Sequence, residues 1–600
     1  MDNYRFKYIF KKRIQILFGL LVFLLFIVLL KIFYLQIIQF ERFSALSKNN
    51  SIKIVPTPPK RGLILDRNNV ILADNKLVHS LEVQRSSSSR IKEITNKLKE
   101  KLNIEIETPD KKINYLYEDT IPLSFSLTTE QIASFVAHQY LFPELSIKQR
   151  FIRDYPQGKS SAHIIGFINK INDKDIEFFE KENLTQQYLG STHTGKSGIE
   201  KFYENFIHGS PGFKEIEVDA KQNVIRVLQE KKSIPGKNIN LTIDFKLQKV
   251  AEKAFGNKKG ALIAIDPNNA EILAYVSQPT FNPSLFTNGI SQKAWDNLND
   301  NKSKVMLDRV VSGLYPPGST LKPFVALAAL DNNIRKPPYS IFDTGRFKMP
   351  NSSKVFRDWK KDGHGTVDMI KAISVSCDTF FYGLGLELGI PKLNKVLDDF
   401  GFGKTTNIDI DGEKKGLVAN KQWKKEKFKQ SWYAGETAIT AIGQGFTLVT
   451  PLQLANATAK LANPSLTLKP HILLNIDGIK QNKEEGKNIK QYADKNLQWV
   501  KEGMINVTKV GGTAAFLGKN SEYQMASKTG TAQLFGLAID EEYDEDTVPD
   551  ELKDHALFIS YAPANKPSIV VAVIVENGGH GGSVAGPIAK SVMDSYLKKK

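Results

Sequence analysis

Six hundred residues are too many for one ordinary hydrophobic core, so more than one domain is expected, and 41% hydrophobic with 24% charged residues fits a globular chain. The net charge of +18 comes from scattered lysines with no long basic block or zinc-finger spacing, so a membrane surface or an acidic polymer suits it as well as nucleic acid. One cysteine excludes an internal disulfide.

The chain opens with "MDNYRFKYIFKKR", five Lys/Arg against one Asp. Then "IQILFGLLVFLLFIVLL" (14–30) carries no charge, and the apolar character continues past Lys31 to Ile38. At about 1.5 Å per residue that length spans a hydrocarbon core. Residues 1–13 are therefore expected as a cytoplasmic tail and 14–38 as a single transmembrane helix, with everything after residue 40 outside. A cleaved signal peptide fits less well, because the apolar run is long and no A-x-A site follows.

Residues 41–235 are polar, mixed and turn-rich, and read as a spacer or pedestal domain. "PTPPKRGLILDRNNVILADN" predicts an extended lead-in and short strands around an Asn-Asn turn. The "SSSS" at 86–89 predicts a loop, and "RIKEITNKLKEKL" a solvated helix. "GSTHTGKS" (190–197) matches the phosphate-loop pattern in full. That mechanism needs a buried strand before the loop, and "KENLTQQYLG" is polar, so a glycine turn is the better reading and no nucleotide is expected.

"SIPGK" (233–237) marks a boundary, with a second domain over 236–600. "ALIAIDPNNAEILAYVSQP" predicts a β-hairpin, "HALFISYAP" and "SIVVAVIVEN" two more strands, and "PIAKSVMDSYLKK" a final amphipathic helix. The expected fold class is α+β: one antiparallel sheet completed by both ends of the domain and packed by helices.

Within that domain "LYPPGSTLKPF" places Ser319 and Lys322 one helical turn apart. A serine opening a helix suits a nucleophile, because the free N–H groups there favour negative charge. A lysine one turn on can accept its proton if kept neutral. S-x-x-K alone is a weak signal and occurs again at Ser89–Lys92 and Ser595–Lys598. Specificity comes from the set. "SCD" (Ser376, Cys377, Asp378) follows 57 residues after Ser319 in an apparently helical segment. "SKTGTAQ" then puts Lys528, Thr529 and Gly530 on a strand, with Thr531 able to offer an N–H to an oxyanion. Cys377 is open to three readings: a packed thiol, a nucleophile or a metal ligand. His364, Asp358 and Asp343 lie thirteen, nineteen and thirty-four residues before it, a set with no short pair to fix it as a site.

The order S-x-x-K, S-x-[ND], K-T-G is the triple of penicillin-binding proteins and serine β-lactamases. The chain resembles the class B penicillin-binding proteins, most closely the penicillin-binding protein 2 kind of rod-shaped Gram-negative bacteria. The resemblance spans the anchor, "PPKRGLILDRNN", "DYPQGKSSAHIIGFI", "TGKSGIEKFYENFIHGSPG", "YPPGSTLKPF", "SVSCDTFFYGLGLELGI" and "AITAIGQGFTLVTPLQLANA". It implies a peptidoglycan D,D-transpeptidase of cell elongation, able to act as a D-Ala-D-Ala carboxypeptidase and acylated by β-lactams. By motif matching, Ser319 attacks the D-Ala-D-Ala carbonyl of a stem peptide and Lys322 is the base. Ser376 shuttles a proton and Asp378 positions Lys322 and the substrate. Lys528 and Thr529 hold the terminal carboxylate, with Gly530 and Thr531 lining the substrate. The resemblance further implies one structural Zn2+ on Asp343, Asp358, His364 and Cys377, and a SEDS-type, RodA-like glycan polymerase with other elongation-complex membrane proteins as partners. It implies a bacterial inner membrane location, N-terminus cytoplasmic and catalytic domain periplasmic. A division-specific relative, a β-lactamase, a bifunctional polymerase and a non-catalytic β-lactam sensor are the alternatives. The middle motif here ends in Asp where the division-specific relatives usually have Asn.

Overall fold

The computed structural model describes residues 2–41, 51–84, 88–104, 120–124, 127–219, 224–287, 289–300, 302–486, 489–533 and 549–598. Part of the "SSSS" loop lies outside them, and the helix after it runs Ser88–Leu102. The chain begins as a helix, Asp2–Phe33, extended by a wider turn at Tyr34–Ile38. From Lys7 to Ile38 it is long and apolar enough to cross a membrane, and its apolar side chains are exposed. Among the described residues no other helix meets that description.

Beyond the anchor, Ile52–Thr57 pairs antiparallel with Gly212–Val218, which pairs with Val224–Lys231. A second sheet carries the Asn-Asn turn: Ile64–Leu65 folds back on Ile71–Gln84, and Asn69 takes the left-handed conformation that the turn needs. This sheet does not respect the boundary at "SIPGK". Ile239–Leu241 joins it parallel to Ile64–Leu65, and Leu473–Ile476 pairs with Ile239–Leu241 in turn. Pedestal and catalytic region thus share a sheet, and their interface is backbone hydrogen bonding as well as side-chain packing.

The phosphate-loop match is a carboxylate hub. Gly195 N–H donates to Glu204 Oε2 at 3.0 Å, where a nucleotide loop would aim it at phosphate. Lys196 is paired with Asp175. Glu200, fully buried, takes Arg61 Nε at 2.7 Å and Arg153 Nε at 2.6 Å. Arg61 also reaches Glu204. The "PPKRG" and "TGKSGIEKFYE" stretches, far apart in sequence, are one buried ion network.

The catalytic domain is built on a five-stranded antiparallel sheet in the order Ile272–Gln278, Gly260–Ile265, Ile569–Val575, His555–Ala562, Ala526–Ala532. Ile263 pairs with both Tyr275 and Ala572, and Ala572 with Ile559, so the two ends of the domain meet at the centre. Runs such as "IVVAVIV" are apolar at every position because helices cover both faces. Phe245–Phe255 and Ala585–Leu597 cover one face, where Leu262, Val571, Val573 and Phe558 meet Phe255 and Val592. The other face, with Ile263, Ile559 and Ala572, packs on Lys322–Asp331 and Pro451–Ala462. Ala526–Ala532 is an edge strand, paired among the described residues with one other strand, His555–Ala562.

Candidate active site

Ser319 lies in a 3-10 turn, Gly318–Leu321, and the α-helix begins at Lys322. The expected helix-opening serine is therefore one turn earlier and tighter than a plain α-helix start. Two glycines explain the turn. Gly318 has φ +51°, and a Cβ there would lie 2.6 Å from Thr531 O. A Cβ on Gly443 would lie 1.9 Å from Gly318 O, and Gly443 O accepts the Gly318 N–H at 2.9 Å. The nucleophile turn is thus wedged between the "GQG" loop and the edge strand.

Lys322 is completely buried, with Nζ 2.7 Å from Asp378 Oδ1, 2.7 Å from Ser376 O and 3.2 Å from Ser376 Oγ. Lys528, from the edge strand, donates to the same Ser376 Oγ at 2.9 Å and to Thr529 O at 3.0 Å. Ser376 Oγ therefore sits between the Nζ atoms of two buried lysines. Burial pushes Lys528 well below the usual lysine range, and the charge of Lys322 pushes it further. The sequence reading asks for a neutral Lys322 when it acts as base; the structure places a carboxylate against Lys322 and disfavours charge on Lys528.

"SCD" is not a helix segment. Ser376 has φ +59° and lies between two helices, Met369–Ser374 and Asp378–Leu388, with Cys377 as the extended residue before the second. The left-handed Ser376 turns the chain so that its own hydroxyl faces the lysines while Cys377 Sγ faces Asp343 Oδ2 at 3.4 Å. The two side chains face opposite ways through a turn and not through helical periodicity.

The ligating atoms of Asp343, Asp358, His364 and Cys377 all lie within 4.8 Å of one another. His364 Nδ1 is 2.9 Å from Asp343 Oδ2 and 3.5 Å from Asp358 Oδ1. Both carboxylates are fully buried as side chains, and the imidazole nearly so. Burial pushes Asp358 up, and the Asp378 charge adds to this. Burial also opposes charge on Asp343, but N–H donors from Gly345 and His364 and the Thr379 hydroxyl outweigh it and hold it low. The Cys377 thiol is pushed up by burial and then by Asp358. Two buried carboxylates and a thiol around one imidazole form a donor set that suits tetrahedral zinc. His364 Nε2 is buried without a hydrogen-bond partner, so the ring's orientation is set from the Nδ1 side.

Three residues at the site were given no role by the sequence, although Gln444 lies in a stretch that carries the resemblance. Thr513 Oγ1 lies 2.8 Å from Thr529 Oγ1, and its N–H reaches Ser374 O at 3.3 Å, so a Gly-Gly-Thr loop bridges two motifs. Gln444 Nε2 donates to Thr531 O at 3.1 Å. Trp359 N–H donates to Asp378 Oδ2 at 3.2 Å. None sits at a fixed spacing from a motif, so only the fold reveals them.

Comparison with known proteins covers nearly the whole chain. Residues 260–594 match the family described as penicillin binding protein transpeptidase domain, and 56–241 the penicillin-binding protein dimerisation domain. The peptidoglycan D,D-transpeptidase MrdA of Acinetobacter baumannii is 39% identical over 98% of this chain and 88% of its own. MrdA of Escherichia coli K12 is 34% identical over 98% and 94%. Among solved structures, Pseudomonas aeruginosa PBP2 in complex with WCK 5153 matches with TM-score 0.69 at 37% identity, over 91% of this chain and 97% of that one. The Helicobacter pylori complex of PBP2 with MreC matches with TM-score 0.78 at 31% identity, over 91% and 99%.

Proposed function

The chain belongs to the class B penicillin-binding protein transpeptidases of the PBP2 type, and on that premise we propose how its residues carry out peptidoglycan cross-linking. It is a serine-type D,D-transpeptidase that joins stem peptides during cell elongation, with one N-terminal apolar helix as its membrane anchor. The observation that supports the residue assignment best is the Ser376 hydroxyl held between Lys322 and Lys528, beside the turn that carries Ser319.

A stem peptide adds along the free side of the Ala526–Ala532 edge strand, as extended peptides add to exposed sheet edges. Its terminal carboxylate meets Lys528 and the Thr529 hydroxyl. Gly530 lets the backbone lie close, and the N–H of Thr531 faces the developing oxyanion. Ser319 Oγ attacks the penultimate D-Ala carbonyl as Lys322, in its uncharged form, takes its proton. The C–N bond to the last D-Ala breaks, and the proton reaches that leaving amine through Ser376. The amine of a second stem then attacks the ester, returns a proton to Ser319 and forms the cross-link. A β-lactam enters the first half of this cycle and stops there.

Asp343, Asp358, His364 and Cys377 would hold one zinc. With four protein donors such an ion would leave no position for water; it would tie the loop 343–364 to the Asp378 helix and supply no chemistry at the serine. The catalytic domain is assigned to the periplasm, and a RodA-like polymerase and elongation-complex proteins are assigned as membrane partners. That assignment is supported by the family and by a matched PBP2 structure solved with MreC.

Fluorescent penicillin labelling of the wild type against Ser319→Ala tests the reading. The adduct is expected on the peptide containing Ser319, and an adduct on Ser376 or Ser89 overturns it.

A further inference from the structure

The helix Lys421–Phe428 has the sequence KQWKKEKF, followed by Lys429. One lysine, Lys424, is buried, paired with Glu436 and lying over the Tyr433 ring at 4.3 Å. It anchors the helix. Lys421, Lys425, Lys427 and Lys429 are exposed, and among the described residues none of the four forms an ion pair. Lys414 and Lys415 add two more exposed charges upstream, where Leu417 pairs with Leu448. The one acidic residue in 414–429 is Glu426.

Unpaired surface lysines are usually just solvated. Here they share a short helix with an aromatic cluster. Trp423, Phe428 and Phe446 meet with ring centroids 5.2 to 5.6 Å apart, and Lys427 lies over both Trp423 and Phe428. Phe428 is 44% exposed. Phe446 comes from the loop that lines the nucleophile turn: three residues earlier, Gly443 accepts the Gly318 N–H, and Gln444 holds Thr531 O. Three residues of chain reach at most about 11 Å. Phe446, one wall of the aromatic cluster, therefore lies close in chain to the residues that line the nucleophile turn.

We propose that Lys421–Lys429 and Phe446 form a second substrate site, which receives the anionic glycopeptide strand bearing the stem peptide that enters the Ser319 pocket. The proposal rests on the transpeptidase reading above. Stem peptides carry free carboxylates, which complement four unpaired ammonium groups, and sugar rings present flat C–H faces to aromatic side chains. An extended stem advances about 3.3 Å per residue, so three or four residues cover the separation, at most about 11 Å, between Gly443 beside the nucleophile turn and Phe446. The charges supply long-range capture of a polymer, while the edge strand and Ser319 select the peptide end.

The test uses the full chain in detergent and protein-free peptidoglycan sacculi. In the variant with Lys421, Lys425, Lys427 and Lys429 all changed to Gln, retention on sacculi should fall about tenfold, as the loss of four screened contacts implies. Phe428→Ala should lower retention as well. Wild-type retention should weaken with added salt and on sacculi whose carboxylates have been amidated. Penicillin labelling should be unchanged in every variant, which separates this site from Ser319 and reports folding. If the fourfold variant fails to label, Lys421→Gln with Lys425→Gln replaces it. Undiminished retention in a labelling-competent variant overturns the proposal, as does retention indifferent to salt and amidation. Failure of the wild type to label would instead overturn the transpeptidase reading.

Discussion

Replacing Asp378 by Ala isolates the electrostatics of the site. Lys322 is fully buried, and Asp378 Oδ1, 2.7 Å away, is its one carboxylate partner among the described residues. With Asp378 gone, Ser376 O and Oγ still accept from Lys322, but no negative charge offsets it. Breaking a buried pair on one side costs about 3–5 kcal/mol, because a buried charge is left unmatched. One effect opposes this: the Asp378 charge pushes Asp358 up, and its removal relieves that strain. The lower half of the range, about 3–4 kcal/mol, is therefore expected. At about 2 °C per kcal/mol for a domain of this size, the transition should fall by roughly 6–8 °C. Asp378→Asn keeps an acceptor without its charge and should fall between Ala and wild type. Lys322→Met with Asp378→Ala removes both charges and should recover most of the loss. Differential scanning calorimetry of the full chain in detergent reads all four proteins. An Ala variant melting within about 1 °C of wild type, or a double variant melting below it, refutes the reasoning.

The depressed Lys528 means the folded chain binds fewer protons than the unfolded one, so its contribution to stability should rise with pH up to the unfolded lysine value near about 10.4. Lys528→Met should flatten that rise in urea titrations, while a slope equal to wild type would show Lys528 to be ordinarily charged. Thr513→Val deletes one neutral hydrogen bond to Thr529, worth about 1 kcal/mol, so penicillin acylation should slow about fivefold and Thr513→Ser should restore it. Protein purified without a metal-affinity tag should contain about one zinc per chain, and Cys377→Ser or His364→Ala should lose it, melt lower and acylate more slowly. A metal-free wild type with full penicillin binding would return Cys377 to a packed thiol.

The catalytic triple was legible because each motif is short and local. S-x-x-K needs one turn, and K-T-G needs one strand. The central strands were legible because burial on both faces leaves no polar position in "IVVAVIV". What escaped is what depends on neighbours distant in the chain. The helical reading of "SCD" missed the left-handed Ser376, because a serine with positive φ has no sequence mark. S-x-x-K shows a base beside a nucleophile and nothing of what surrounds it. The carboxylate that pairs with Lys322 comes from 56 residues away, and the second buried lysine, Lys528, comes from the edge strand. The boundary at "SIPGK" is a real change of composition, yet strands from both sides of it share one sheet.

The loop 343–364 and the site are one mechanical unit, whatever occupies the four-donor cluster. Asp358 Oδ2 accepts the N–H groups of Asp378 and Thr379, at 2.7 and 3.1 Å. Cys377, the residue before that helix, makes no capping bond with its own side chain, so a carboxylate from nineteen residues upstream does the capping. The next residue, Trp359, donates its backbone N–H to the Asp378 side chain and its indole N–H to Val375 O. The start of the helix is thereby held on two sides by the same short loop. Asp378 is the first residue of that helix and the counter-ion of Lys322, so a shift of the loop moves the charge that Lys322 faces. Gathering Asp343, Asp358 and Cys377 around His364 also leaves two buried carboxylates with one imidazole between them, an arrangement that a divalent cation stabilises and its loss destabilises. Removal of the cation would then reach Ser319 through Asp358, the helix start and Lys322, with no ligand of the metal touching the substrate.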